Sequence, residues 1–142
     1  MYLACKIMLG IYLAYLSVED IRKKSLPIPG IVAGLIFVPV FIIAEGTENI
    51  TITDNLKGMI PGVLLLFISF FSRGQIGCGD GAVVLITGFA VGIGSTVILL
   101  TGALLLIAFF SAGMLITGKL NRKSTLPFIP FVFIGYMGVL IL

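Results

Sequence analysis

The chain has 142 residues, of which 59% are hydrophobic and 11% are charged, whereas an ordinary soluble domain has about 45–50% and about 25%. A chain this short cannot bury so much apolar surface. The composition therefore excludes a soluble enzyme, a disordered tail and a nucleic-acid-binding module, and it indicates an integral membrane protein. There is no histidine, and there are only two cysteines, Cys5 and Cys78, which excludes a histidine-dependent triad, a histidine-ligated metal site and a four-cysteine zinc site. The net charge of +3 is too small to indicate a nucleic-acid partner.

Six apolar segments, taken in chain order, predict an all-α fold: a polytopic membrane helix bundle of about six transmembrane helices in a single domain, residues 1–142. They are residues 2–18, 28–44, 58–72, 80–92, 95–117 and 126–142. A spanning helix needs about 20 residues, so the third and fourth segments look short, and five spans result if the stretch 92–94 is only a kink. The first segment lacks a basic start and a cleavage site, so we interpret it as a retained span and not as a signal peptide.

Basic residues predict the orientation in the membrane. Seven of the nine lysines and arginines follow the first, third and fifth segments, and positively charged connections lie on the cytoplasmic side. We therefore expect a multi-pass protein of the cell membrane, in contact with the lipid bilayer, with its N-terminus outside. Glu45, Glu48 and Asp54 fall in an outer polar connection, where we interpret them as solvated residues.

Two other acids, Asp20 and Asp80, lie 60 residues apart in the sequence but at the same predicted membrane boundary, the cytoplasmic one. Ionisable groups at such a place are costly and indicate a function. If the two carboxylates face each other they share a proton, so that one can take a proton from water while the other donates one to a peptide bond. This is the chemistry of aspartic proteases, which needs no metal and no cofactor. The alternative is that each aspartate caps a helix end.

Glycines surround the second aspartate in the segment Gly77–Gly81, which reads Gly-Cys-Gly-Asp-Gly. Glycine permits a tight backbone and the close approach of another chain, as a substrate strand would need, although a flexible loop before a helix cap gives the same pattern. Pro27, Pro127 and Pro130 fall where helices begin, and proline is tolerated in the first turn of a helix.

The chain resembles type IV prepilin peptidases in three motifs that occur in that family's order. The segment Gly77–Asp80 is similar to the GxGD motif of intramembrane aspartic proteases. The segment Asp20–Pro27 resembles the family's D-x6-P segment, and Pro127–Pro130 is similar to the P-F-x-P stretch that opens its last helix. The resemblance covers nearly the whole chain and implies that Asp20 and Asp80 are the catalytic pair. The residues predicted to shape the site or bind the substrate are Gly77, Gly79, Pro27, Pro127, Phe128, Pro130 and Glu19.

This resemblance implies an aspartic endopeptidase that cuts the leader of prepilin-like proteins, of Flp/Tad or archaeal type, at the cytoplasmic face and without a cofactor. Larger bacterial members add a cytoplasmic domain and methylate the new N-terminus; that domain has no counterpart here, so we expect cleavage without methylation. Ile28 stands where the family usually has Asn, and Ala82 where it commonly has Lys, which concerns the substrate range. Glu19 competes with Asp20 for the first catalytic position, and the spacing to Pro27 selects Asp20.

Other functions fit the same composition. An ion- or proton-coupled transporter could use the same two aspartates, but transport sites tend to lie near the bilayer midplane in repeated halves, whereas these acids share one boundary and no repeat is visible. A non-catalytic membrane subunit leaves the three ordered motifs unexplained. A presenilin-like protease would carry Tyr-Asp and Pro-Ala-Leu motifs, which the sequence lacks. The oligomeric state stays open.

Overall fold

The computed structural model describes residues 2–23, 28–45, 52–72, 77–118 and 126–141, and these form helices and short turns with no strand among them. The predicted all-α fold class is thereby confirmed. The helices are α1 (Tyr2–Lys23), α2 (Ile28–Glu45), α3 (Ile52–Gly58), α4 (Ile60–Phe71), α5 (Cys78–Ile116) and α6 (Ile129–Ile141).

The core lies between α1, α5 and α6. On α1 the fully buried side chains Leu9, Leu13 and Leu16 are spaced by four and three residues, so they fall on one face of the helix. The Tyr136 hydroxyl, in the second half of α6, donates a hydrogen bond to the carbonyl of Lys6, near the start of α1, at 2.8 Å. The first residues of α6 contact the end of α1, so the two helices are antiparallel.

Glycines bring α3 and α4 against the first half of α5. A Cβ atom at Gly58 would overlap the Gly88 carbonyl, and one at Gly62 would overlap the Leu85 backbone. At Gly81 an added Cβ would lie 2.9 Å from a leucine side chain of α4. Small residues permit such close packing of membrane helices. We call Gly58, Gly62, Gly81 and Gly88 the glycine seam; it sets the distance between the two antiparallel segments.

α5 is broken at Gly92. Over 39 residues an unbroken helix would be about 58 Å long, roughly twice the thickness of the hydrocarbon core of a bilayer. Gly92 has φ 78° and ψ 170°, a conformation that favours glycine. The Thr96 hydroxyl donates to the Gly92 carbonyl at 2.6 Å, which gives that carbonyl a partner at the break. From the sequence, residues 92–94 could either separate two helices or kink a single one. In the structure the non-helical backbone is confined to Gly92.

Residues before α4 are helical where the sequence predicted a polar connection. α3 begins at Ile52, so Asp54 lies on a helix and not in a loop, although it is exposed. Asn55 is buried and only 2% exposed. A Cβ at Gly92 would lie 2.7 Å from Asp54 Oδ2 and 3.6 Å from Asn55 Oδ1. These polar side chains face the broken backbone of α5, which is why a polar segment can extend an otherwise apolar helix.

In the part of the chain that the structure describes, two helical segments are long and apolar enough to cross a membrane, Ile52–Phe71 and Cys78–Ile116. Large apolar side chains also point away from the core: Phe70 is 81% exposed and Phe109 is 78% exposed. A contiguous apolar exterior suits lipid better than water. The number of spans, six or five, stays a prediction.

Candidate active site

Asp20 ends the buried face of α1. It follows the last buried leucine, Leu16, by four residues and is 6% exposed. Residues three and four apart share one face of a helix, so the repeat that buries the leucines also carries this carboxyl group inside. Its neighbour Glu19 points elsewhere, because its carboxylate forms an ion pair with the more exposed Lys23 at 2.9 Å.

The start of α6 supplies backbone donors to the Asp20 carboxylate. The Ile129 N–H donates to Asp20 Oδ2 at 3.2 Å in a buried hydrogen bond, and the Phe128 N–H also donates to this carboxylate. Pro127 and Pro130 have no N–H, and the next N–H along α6 donates to the Phe128 carbonyl at 3.1 Å. The two N–H groups that this helix start leaves free are therefore the two that meet Asp20.

Asp80 lies in the first turn of α5, three residues after Gly77, the glycine that precedes the helix. Its backbone N–H donates to the Gly77 carbonyl at 3.1 Å, and its side chain is partly buried. A Cβ at Gly77 would lie 3.2 Å from Asp80 Oδ2. Because φ of Gly77 is −64°, any residue could adopt this backbone conformation. The glycine provides space beside the carboxylate rather than backbone freedom.

Asp20 lies where α1 ends and α6 begins, and Asp80 lies in the first turn of α5. Their carboxylates repel each other when both are charged. Buried charges are screened less than exposed ones, so each of the two groups influences the ionisation of the other. Two carboxylates in one site cannot both ionise cheaply, and the pair then holds one proton over a range of pH. Such a pair can accept one proton and donate another in the same reaction.

The other residues predicted for the site fall into three groups. Those in or next to the first turns of α5 and α6, beside the aspartates, are Gly77, Gly79, Pro127, Phe128 and Pro130. Glu19 lies beside Asp20 in the sequence but on a different side of α1, in its ion pair. Pro27 lies outside the described residues, and its predicted role is untested.

Two contacts at the site were not predicted from the sequence. The Ile129 N–H is a backbone group and has no residue-type signal, although the flanking prolines mark a helix start, and helix starts have free N–H groups. The second contact joins Ser69 Oγ of α4 to Cys78 Sγ of α5 at 3.2 Å. It fixes the first turn of α5, two residues before Asp80, to the neighbouring helix.

A purely structural interpretation explains part of this geometry, because Asp20 does cap α6. It does not explain why Asp80 lies within electrostatic reach of Asp20, since a second negative charge there opposes folding. Within the described ranges, no group of three or more acidic, cysteine or histidine side chains is placed to hold a metal ion. Two carboxyl groups that influence each other's ionisation can transfer protons.

Comparison with known proteins identifies the chain at the level of its family. The model of the type IV leader peptidase family matches residues 7–117, a range that includes both aspartates. No curated protein and no solved structure gives a match. With its long apolar helices, the chain is a membrane protein and a peptidase, and it belongs to the type IV leader peptidase family.

Proposed function

We propose that the chain is an aspartic endopeptidase that removes the leader of type IV prepilin-like proteins at the cytoplasmic membrane face, with Asp20, Asp80 and one water. No cofactor takes part, and the product is not methylated. The observation that carries this proposal is the electrostatic contact between two aspartates that lie 60 residues apart, in a chain whose family consists of leader peptidases.

The reaction needs a water molecule and a peptide bond between the two carboxyl groups. The ionised carboxylate takes a proton from the water, whose oxygen adds to the carbonyl carbon. The protonated carboxyl group donates its proton, and the bond to the leaving amine then breaks. No covalent enzyme intermediate forms, which agrees with a site whose chemistry depends on carboxyl groups.

The position of the pair supports cleavage at the cytoplasmic face. Arg22 and Lys23 lie in the last turn of α1, directly after Asp20, and such clusters mark the cytoplasmic ends of membrane helices. A prepilin-like substrate has a hydrophobic helix preceded by a polar leader. Its helix would lie in the bilayer against the apolar exterior of the bundle, while the leader reaches the aspartates from the aqueous side.

Glu19 is our candidate for binding a basic leader. Its carboxylate lies next to Asp20 in the sequence and is held by Lys23 in a pair whose lysine side chain is 60% exposed. Lys23 is the exposed member of the pair, whereas the Glu19 side chain is 16% exposed, so a positively charged substrate residue can take the place of Lys23 beside the Glu19 carboxylate.

Replacement of either aspartate tests the proposal. The chain is co-expressed with prepilin-like substrates encoded in the same genome, and the N-terminus of each substrate is read by mass spectrometry. We expect Asp20→Asn and Asp80→Asn each to reduce cleavage at least about a hundredfold, because each removes one partner in proton transfer. Both variants should accumulate in the membrane at the level of the wild type.

Asp54→Asn is the matched control, since it makes the same chemical change on an exposed acid of α3. Asp54 lies beside Gly92, roughly 18 Å along α5 from Asp80, and we expect normal cleavage. Equal processing by all the variants would exclude the aspartate pair and favour the alternative, an ion- or proton-coupled transporter. Cleavage of none of the substrates by the wild type would contradict the proposed substrate class.

A further inference from the structure

The two aspartates differ in what holds them. Two backbone N–H groups at the start of α6, those of Phe128 and Ile129, bind the Asp20 carboxylate. Among the described residues, no donor binds the carboxylate of Asp80. The Asp20 charge acts on this carboxylate, and Gly77 leaves space beside it. The pair is therefore asymmetric before any substrate binds.

The magnitudes decide where the shared proton resides. Asp80 lies in the first turn of α5, and the dipole of that helix favours a negative charge only weakly. A direct hydrogen bond to a charged group contributes more than the dipole does, and Asp20 receives two such bonds. Direct donors thus outweigh the dipole, and the negative charge is favoured on Asp20.

We propose that Asp20 is the member of the pair that stays ionised and activates the water, and that Asp80 is the member that carries the proton, because the N–H groups of Phe128 and Ile129 hold the charge on Asp20. This inference rests on the proposed peptidase function and assigns the roles within it. Pro127 and Pro130 are positioning residues: they start α6 in a way that leaves these two donors free for Asp20.

The assignment gives a balanced reaction. Asp20 removes a proton from water, the water oxygen bonds to the carbonyl carbon, and Asp80 transfers its proton to the carbonyl oxygen. Asp20 then delivers its proton to the amide nitrogen as the carbon–nitrogen bond breaks. A hydroxyl of the tetrahedral intermediate returns a proton to Asp80, which restores both groups and releases a carboxyl group and an amine.

The charges around Asp20 are few. In the described residues, the ionisable groups near it are Asp80 of α5 and, on α1 itself, Tyr15, Glu19, Arg22 and Lys23. Glu19 pairs with Lys23 and also accepts a hydrogen bond from Tyr15. The first turns of α2 and α6 carry no ionisable residue. A change in the donors at α6 should therefore act on Asp20 without disturbing another charged contact.

Ile129→Pro removes one donor and little else from the backbone. Ile129 is the first residue of α6, where proline is well tolerated because the N–H has no helical partner. Ile129→Ala is the matched control: it also removes most of this fully buried side chain but keeps the N–H. Both variants are compared with the wild type in kcat/KM for prepilin cleavage across pH.

We expect Ile129→Pro to move the acid limb of the pH profile upward by about one pH unit relative to Ile129→Ala, because loss of a hydrogen bond to the charged form makes Asp20 protonate more readily. The alkaline limb should stay in place. An upward move of the alkaline limb alone would mean that Asp20 carries the proton, and identical profiles for the two variants would mean that the donor has no influence; either result overturns the assignment. In both cases the wild type still cleaves, so the peptidase function itself would stand.

A measurement that needs no activity covers the case in which Ile129→Pro cleaves too poorly. The carboxyl band of Asp20 is isolated in the Asp80→Asn background by infrared difference spectroscopy against the Asp20→Asn, Asp80→Asn double variant. Addition of Ile129→Pro should again raise the pH at which Asp20 protonates by about one unit relative to addition of Ile129→Ala. No difference between the two would overturn the inference.

Discussion

Gly77 has no side chain, and this leaves space beside the Asp80 carboxylate. Its backbone conformation is open to any residue, with φ −64° and ψ 126°, yet a methyl group there would lie 3.2 Å from Asp80 Oδ2. Contacts this short require one partner to move by a few tenths of an ångström. The partner here is the carboxylate proposed to donate a proton, so the glycine acts on the geometry of the reaction.

Gly77→Ala should therefore reduce kcat for prepilin cleavage about tenfold, since small misplacements of catalytic groups are costly. Stability should fall by only about 1 kcal/mol, because glycine is the better of the two residues at the position before a helix. Gly102→Ala, within α5 and with no atom within 4 Å of the added Cβ, is the control and should cleave normally. Normal cleavage by Gly77→Ala would show that the carboxylate can shift without loss.

The choice between Glu19 and Asp20 shows what the sequence could reveal at this scale. The repeat of buried residues along α1 is Leu9, Leu13, Leu16 and then Asp20. Met8, Tyr12 and Tyr15 precede Glu19 at the same spacing, so the pattern alone does not choose between the two acids, whereas the spacing to Pro27 does. The donors from α6 were beyond prediction. A backbone N–H belongs to every residue except proline, and its direction depends on how α6 packs against α1.

At the scale of the helices, the break in α5 depends on one residue whose backbone conformation favours glycine. Gly92 has φ 78° and ψ 170°, a conformation that costs a residue with a side chain about 1–3 kcal/mol, and an added Cβ would also lie 2.7 Å from Asp54 Oδ2. The break at Gly92 divides a helix that is too long for one crossing and keeps its first half along α3 and α4.

Gly92→Ala should lower the free energy of unfolding by about 2 kcal/mol, equivalent to a fall in Tm of roughly 4–8 °C for a chain of this size. Gly94→Ala is the matched control. It lies two residues further along the same helix, its added Cβ would have no atom within 4 Å, and alanine is the better helix former. Thermal unfolding in detergent compares the two. Equal Tm values for the two variants would show that the break at residue 92 needs no glycine.

The boundaries of α3 were hidden by the same arrangement. The polar residues of this segment predicted a loop, because polar residues seldom open a membrane helix; they are Asp54, Asn55 and Lys57. Nothing in the sequence of the segment indicates that it faces the broken backbone at Gly92. The glycine pair at residues 92 and 94, by contrast, marked the break, because glycine is the residue that such a conformation favours. Local patterns thus located the break but not its polar partners.

For the whole molecule, the orientation proposed from the basic residues can be tested at the site itself. Cys78 is exposed and lies two residues before Asp80, whereas Cys5 is buried. A membrane-impermeant thiol reagent should label Cys78 in inverted membrane vesicles and leave it unlabelled in intact cells. Cys78→Ser should abolish the labelling, which would exclude Cys5 as its source. Labelling in intact cells would place the aspartates on the outer face.

The class of the fold followed from composition alone, because an apolar chain of this length has few options besides membrane helices. The common location of Asp20 and Asp80 at one end followed from counting apolar segments between them. Their electrostatic contact could not be predicted, because it depends on how closely α1, α5 and α6 approach one another, and buried side chains on all three helices determine that approach.

The glycine seam has a consequence for how this protein can change over generations. Nearly half of the described positions are exposed and can exchange one apolar residue for another with little effect on packing. The seam admits not even a methyl group at Gly58 or Gly62 without a shift of the backbone opposite. Mutational tolerance should therefore be lowest at residues that have no side chain, and sequence drift in this protein is confined by its smallest residues rather than by its largest.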